Sequence, residues 1–121
     1  MNIITLSIKN HGFYEEERIV FEVLQDCTLG DYVLLNTTLV GEDEPANKIQ
    51  SSYLFPDRQV SKGDFVVLYT RAGEAQEGDN SAGSTTHVFY WGLDDTAWDV
   101  PGAYAVLAEI SDLTLTPVGY N

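Results

Sequence analysis

Cysteine is nearly absent. Cys27 is the only one in 121 residues, so no internal disulfide forms and no thiolate cage can hold a metal. Basic residues are scarce as well: six Lys and Arg stand against nineteen Asp and Glu, a formal net charge of -13. Nucleic-acid binding draws on a basic face that displaces counterions from phosphates. This field repels DNA, RNA and anionic lipid headgroups, so neither a nucleic-acid nor a membrane partner is expected. No run approaches the roughly 20 apolar residues of a membrane span. The opening MNIITLSIKN has no charged leader and no apolar stretch of signal-peptide length. A cytoplasmic protein of a reducing compartment is the expectation. Helical periodicity, internal repeats and low-complexity tracts are missing too, which leaves no helix of consequence and no solenoid.

What the chain does have is a strand pattern. Hydrophobic residues make up 44% of it, enough for one core in a single domain over residues 1–121. The clearest stretch runs from Tyr53 to Tyr69. Tyr53, Leu54 and Phe55 suit a pleated, half-buried surface, and Pro56, lacking an amide hydrogen, closes that strand. Lys62-Gly63-Asp64 punctuates the chain, and Phe65 to Tyr69 then alternates, with Val66, Leu68 and Thr70 sharing one face.

Further strands are expected at residues 2–9 (Ile4, Leu6 and Ile8 against Thr5 and Ser7), Ile19–Leu24, Tyr32–Leu35, His87–Trp91, Tyr104–Ile110 and Leu113–Val118. Glu15-Glu16-Glu17-Arg18 reads as a solvated charged rim. Ala72 to Thr86 lacks apolar anchors and reads as a mobile surface loop, and 92–102 as a loop carrying Trp98. Eight or nine short strands with turns between them predict an all-β chain, an immunoglobulin-like antiparallel β-sandwich.

These segments, in this order, resemble the lamin tail domain. The resemblance covers about residues 18–115. It is strongest at Tyr53-Leu54-Phe55-Pro56 and at Val60-Ser61-Lys62-Gly63-Asp64-Phe65-Val66-Val67-Leu68-Tyr69. Trp91-Gly92 with Trp98 is similar to the family's tryptophan-bearing segment, and Ala105-Val106-Leu107 to the strand after it. Ile19 to Leu24, with Glu22, resembles the strand carrying a central glutamate. Thr28-Leu29-Gly30-Asp31-Tyr32 resembles a further step, with Tyr32 where Trp is usual. The chain departs from the pattern at Leu24-Gln25 and at Glu109-Ile110-Ser111-Asp112, which lacks the usual glycine. Residues 1–17 have no place in it.

The resemblance implies a non-catalytic protein-interaction or assembly module, in a stand-alone bacterial or phage version. Without heptads, a filament role has no support. An unidentified protein partner is expected, and a homodimer through edge strands, with residues 2–9 as the candidate edge.

Chemistry-bearing residues are few. Asp94, Asp95 and Asp99 crowd one loop beside Trp98, but their spacing matches no calcium loop, so a solvated loop is expected. His11 sits in a turn and His87 opens a strand. Neither stands in a metal or triad spacing, so a pairing with Cys27 is left to space alone. Phe89, Tyr90, Trp91, Trp98 and Tyr104 raise an alternative, a carbohydrate- or calcium-dependent ligand-binding sandwich in which flat rings stack on sugars. Filling the core is the expected use of these rings. No catalytic, cofactor or metal residue is assigned.

Overall fold

The computed structural model of the chain describes residues 1–119. Its strands are β1 (Ile3–Lys9), β2 (Arg18–Val23), β3 (Cys27–Thr28), β4 (Tyr32–Thr37), β5 (Ser51–Leu54), β6 (Gln59–Val60), β7 (Phe65–Tyr69), β8 (Gln76–Asp79), β9 (Thr85–Tyr90) and β10 (Tyr104–Glu109). A single 3₁₀ turn, Leu29–Asp31, leads into β4. The five-stranded sheet has the order β1-β2-β7-β9-β8, the three-stranded sheet β10-β4-β5, and the short pair β3-β6 stands apart. This is an all-β sandwich, as the alternation predicted.

One pairing departs from the antiparallel expectation: β9 runs parallel to β7, with Val66 beside His87 and Leu68 beside Phe89. Parallel neighbours cannot be joined by a tight hairpin and need a crossover. Residues 70–84 are that crossover, which explains their length. Within them the expected surface loop contains β8, a strand that folds back antiparallel onto β9 and forms the sheet edge. Ladder hydrogen bonds come from the backbone, so β8 forms although all four of its residues are exposed. Asn80 closes the hairpin tip, its Oδ1 accepting from the Ala82 and Ser84 amides at 2.9 and 3.2 Å.

The core lies where the strand alternation put it. Phe55, just before Pro56, meets Phe21, Tyr53 and Phe89 edge-on at centroid distances of 5.7, 5.1 and 5.8 Å. Ile19, Val23, Leu34, Val66 and Leu68 fill the space around these rings. Gly63 takes φ +91°, the left-handed turn conformation that glycine adopts without strain.

Three other expectations are corrected. In β1 the pairing with β2 slips between Thr5 and Ser7, and this bulge reverses which residues face inward. Ile3 and Ile8 therefore pack on the core, whereas Ile4 and Leu6 are exposed. Leu113–Val118 forms no strand: Ser111 and Asp112 adopt no positive φ, so no tight hairpin returns the chain to the sheet, and Leu113, Leu115 and Val118 stand in solvent. Glu17, read as part of a solvated rim, is fully buried.

Candidate functional site

Among the described residues, two carboxylates and one imidazole are buried, and all three obey the strand alternation. Glu17 shares parity with Ile19, Phe21 and Val23. Asp64 shares it with Val66 and Leu68, and His87 with Phe89. Each therefore turns inward at the end of an apolar row, where the core gives way to loops. Two polar nodes result, at opposite ends of β7.

At the end following β7, the Glu17 carboxylate collects four donors. Thr70 Oγ1 donates to Oε1 at 2.6 Å, the Ala97 amide to Oε1 at 2.6 Å, the Gly12 amide to Oε2 at 3.0 Å and the Trp98 amide to Oε2 at 3.3 Å. Across the sandwich, Asn36 of β4 donates from Nδ2 to the Ala97 carbonyl at 2.9 Å. Ala97 is thus held from both sheets, and the 92–103 loop is drawn over the open end. Trp98 is carried inward with it, 6% exposed and 6.0 Å from Trp91.

At the end preceding β7, Asp64 accepts from the Ser61 amide at 3.0 Å and the Thr85 amide at 3.1 Å, and lies 3.0 Å from His87 Nε2. Burial pushes its carboxyl up, but the bonds from Ser61, His87 and Thr85 outweigh that and hold it below its ordinary value. An ionised carboxylate only accepts, so His87 Nε2 carries the hydrogen. The other ring nitrogen, Nδ1, is buried and has no hydrogen-bond partner, although Oε2 of Glu77 lies 3.3 Å away. The separation alone suggests an ion pair. The direction does not align, so the contact is a proximity and not a hydrogen bond. Gln59, Ser61, Asp64, Glu77, Asp79 and His87 line an open groove of about 420 Å³ here.

Of the residues singled out from the sequence, His11, Trp98 and Asp99 come together around one shallow indentation of about 300 Å³, and the others are dispersed. His11 lies 3.7 Å from Asp99, both exposed, while Asp94 and Asp95 face solvent, Asp95 capping the Thr96 amide. No hydrogen bond or ion pair among the described residues joins Cys27 to a histidine. Burial first, then the carboxylates of Asp31, Glu109 and Asp26, push the Cys27 thiol up, which keeps it protonated and poorly nucleophilic. Phe89 and Trp98 are core, Trp91 is half-buried and donates to the Ser52 carbonyl at 3.1 Å, and Tyr104 is exposed.

Tyr90 turns to the outer face of the five-stranded sheet and stacks on Tyr69 at 5.3 Å. The Arg71 guanidinium lies over both rings at 5.1 and 5.0 Å, and Arg18 lies over Tyr69 at 5.8 Å. A separate indentation of about 330 Å³ beside Asn36, Thr37 and Leu93 has no aromatic ring in its wall.

Glu17, Asp64, Glu77 and the outer arginine–tyrosine cluster were not singled out from the sequence, although parity with the neighbouring apolar rows was available for the first two. No helix of the described residues is long and apolar enough to cross a membrane. No group of three or more His, Cys, Asp or Glu among them is arranged to hold a metal. No known protein family's pattern matches the chain, and no curated protein matches it.

Proposed function

We propose that the chain is a non-catalytic protein-interaction module of the lamin-tail type. The observation that carries this reading is the outer-face cluster of Tyr69, Tyr90, Arg18 and Arg71. Tyrosine and arginine dominate the energetic centres of protein interfaces, since each presents a large, stiff contact area with a polar tip. Two of the chain's six cationic side chains are gathered here, on a protein of net charge -13. The packed aromatic interior and the protonated Cys27 support a role without catalysis. The segments carrying the lamin-tail resemblance, Tyr53 to Pro56 and Trp91 to Trp98, pack against one another through Tyr53, an arrangement compatible with that family. The exposed Ile4 and Leu6 on edge strand β1 support self-association as a second use.

The ligand-binding alternative is less well supported, because the cleft beside Asn36 offers no ring for a sugar to stack on, and Trp98, which borders the indentation beside His11 and Asp99, is only 6% exposed and leaves little ring face open. Two measurements test the proposal. Capture from the source cell is compared for the wild-type chain and an Arg71→Glu/Tyr90→Ser variant with an unchanged unfolding curve. A partner lost by the variant supports the assignment, and equal retention overturns it. Tryptophan emission is expected to be blue-shifted and unmoved by a sugar panel, by Ca²⁺ or by chelator; a saturable shift would favour the alternative.

A further inference from the structure

We propose that His87 Nδ1 and the Glu77 carboxylate together bind a divalent transition-metal ion, with Asp64 fixing the imidazole from behind. The proposal is independent of the protein-interaction reading. It starts from an unmet requirement: the His87 side chain is 4% exposed, yet its Nδ1 has no hydrogen-bond partner. If Nδ1 carries a proton, that proton lies in the ring plane and misses the nearby carboxylate. If it carries none, its lone pair points along that same in-plane direction and finds no donor, with a carboxylate oxygen 3.3 Å to one side. Either state leaves a buried polar atom unsatisfied, which structures rarely tolerate without a reason.

A positive centre set off the line between the two atoms satisfies both. An ion about 2.0–2.1 Å from a histidine nitrogen and a carboxylate oxygen sees atoms 3.3 Å apart at about 105°, close to tetrahedral. The rest of the arrangement agrees. Histidine ligands commonly donate their second ring N–H to a carboxylate, which fixes tautomer and orientation. Asp64 fills that place, itself anchored by the Ser61 and Thr85 amides.

Glu77 and His87 are direct cross-strand partners in the β8–β9 hairpin, so backbone pairing sets their spacing. Asp79 lies two residues further along the same face of β8 and lines the same groove. With two protein donors, the remaining coordination positions open onto that groove. Imidazole with carboxylate suits zinc and its neighbours better than magnesium or calcium.

The test uses the full chain, stripped with chelator and titrated with Zn²⁺ in excess Mg²⁺, which occupies the diffuse acidic surface. One equivalent is expected to bind, with the ring ¹⁵N signals of His87 showing Nδ1 coordinated and Nε2 still protonated. Glu77→Gln, at an exposed side chain, should weaken binding at least about tenfold while the metal-free unfolding curve is unchanged. His11→Gln should leave binding unaltered. Zn²⁺ binding abolished by Mg²⁺, unaffected by Glu77→Gln, or lost with His11→Gln would overturn the proposal. So would a His87 ring that stays protonated at both nitrogens with Zn²⁺ present.

Discussion

The two ends of β7 present the same problem and solve it differently. Beyond Thr70, the Glu17 carboxylate is buried and each of its oxygens takes two donors, three of them backbone amides of loops that would otherwise hang free. Before Phe65, Asp64 is satisfied in the same manner, but its partner His87 is satisfied on one nitrogen only. The first node is closed at its carboxylate: Glu17 is fully occupied and has no acceptor position left for a ligand, although the indole Nε1 of Trp98, carried in beside it, is buried without a partner. The second retains one unfilled position beside an exposed carboxylate and an open groove. Burial of an ionisable group does not by itself point to function, nor does one unmet hydrogen bond, which Arg58 and Trp98 also have; at His87 the unmet position stands beside a carboxylate and an open groove.

The closed node should be the harder one to lose. Glu17→Ala leaves the amides of Gly12, Ala97 and Trp98 and the Thr70 hydroxyl without their acceptor, and orphaned buried donors cost about 1–3 kcal/mol each. Relaxation and water entry recover part of that, so a loss of about 4 kcal/mol is expected from urea unfolding. Because the 92–103 loop carries Trp98 inward, its release should also red-shift tryptophan emission. Glu17→Gln keeps the shape and some acceptors and should cost about half as much. A Glu17→Ala loss below about 1 kcal/mol would mean that the loop closes the sandwich without the carboxylate.

Much of this frame is legible in the residues. Phe55-Pro56, the Val66/Leu68 row and the Gly63 turn announce two strands and the core between them. The closed node was legible only in part: Glu17 has the parity of Ile19 and Phe21, but three consecutive glutamates read more readily as a solvated rim. The crossover strand β8 gives no signal, since backbone pairing holds it and its residues are all exposed. The bulge in β1 is equally silent, for alternation predicts a face only while the register holds, and the slip after Thr5 exchanges the two faces. The pairing of Glu77 with His87 depends on that unannounced strand, so the open node could not be read from spacing.

The same comparison predicts a pH effect on the open side. Asp64 is held below its ordinary 3.8 in the folded chain, so around that pH the unfolded chain binds more protons. Its contribution is therefore complete above its unfolded value and is lost as pH falls through the lowered folded one. Asp64→Asn, which keeps the shape but removes the charge that Ser61, Thr85 and His87 donate to, should cost about 2 kcal/mol at neutral pH. Its stability difference from the wild type should shrink as the solution is taken well below pH 4. A difference constant across that range would mean that Asp64 contributes through shape alone. For self-association, the β1 edge offers a milder test: Leu6→Lys should reduce any dimer seen by sedimentation with little change in the unfolding midpoint, since Leu6 is 46% exposed.

The smallest effect on stability is expected where the two ends differ most. If the His87 node were closed as the Glu17 node is, Glu77 would be a full partner of the buried imidazole, and its removal would leave a charged N–H without an acceptor. The loss would then reach about 1.5–3 kcal/mol. With the hydrogen bond absent and the Glu77 side chain 61% exposed, Glu77→Gln should instead change metal-free stability by no more than about 0.5 kcal/mol. Urea unfolding of chelator-treated protein separates the two values. A near-silent result leaves Nδ1 with an open requirement in the folded chain, whereas a large loss would show that Glu77 already meets it and that both ends of β7 are closed in the same way.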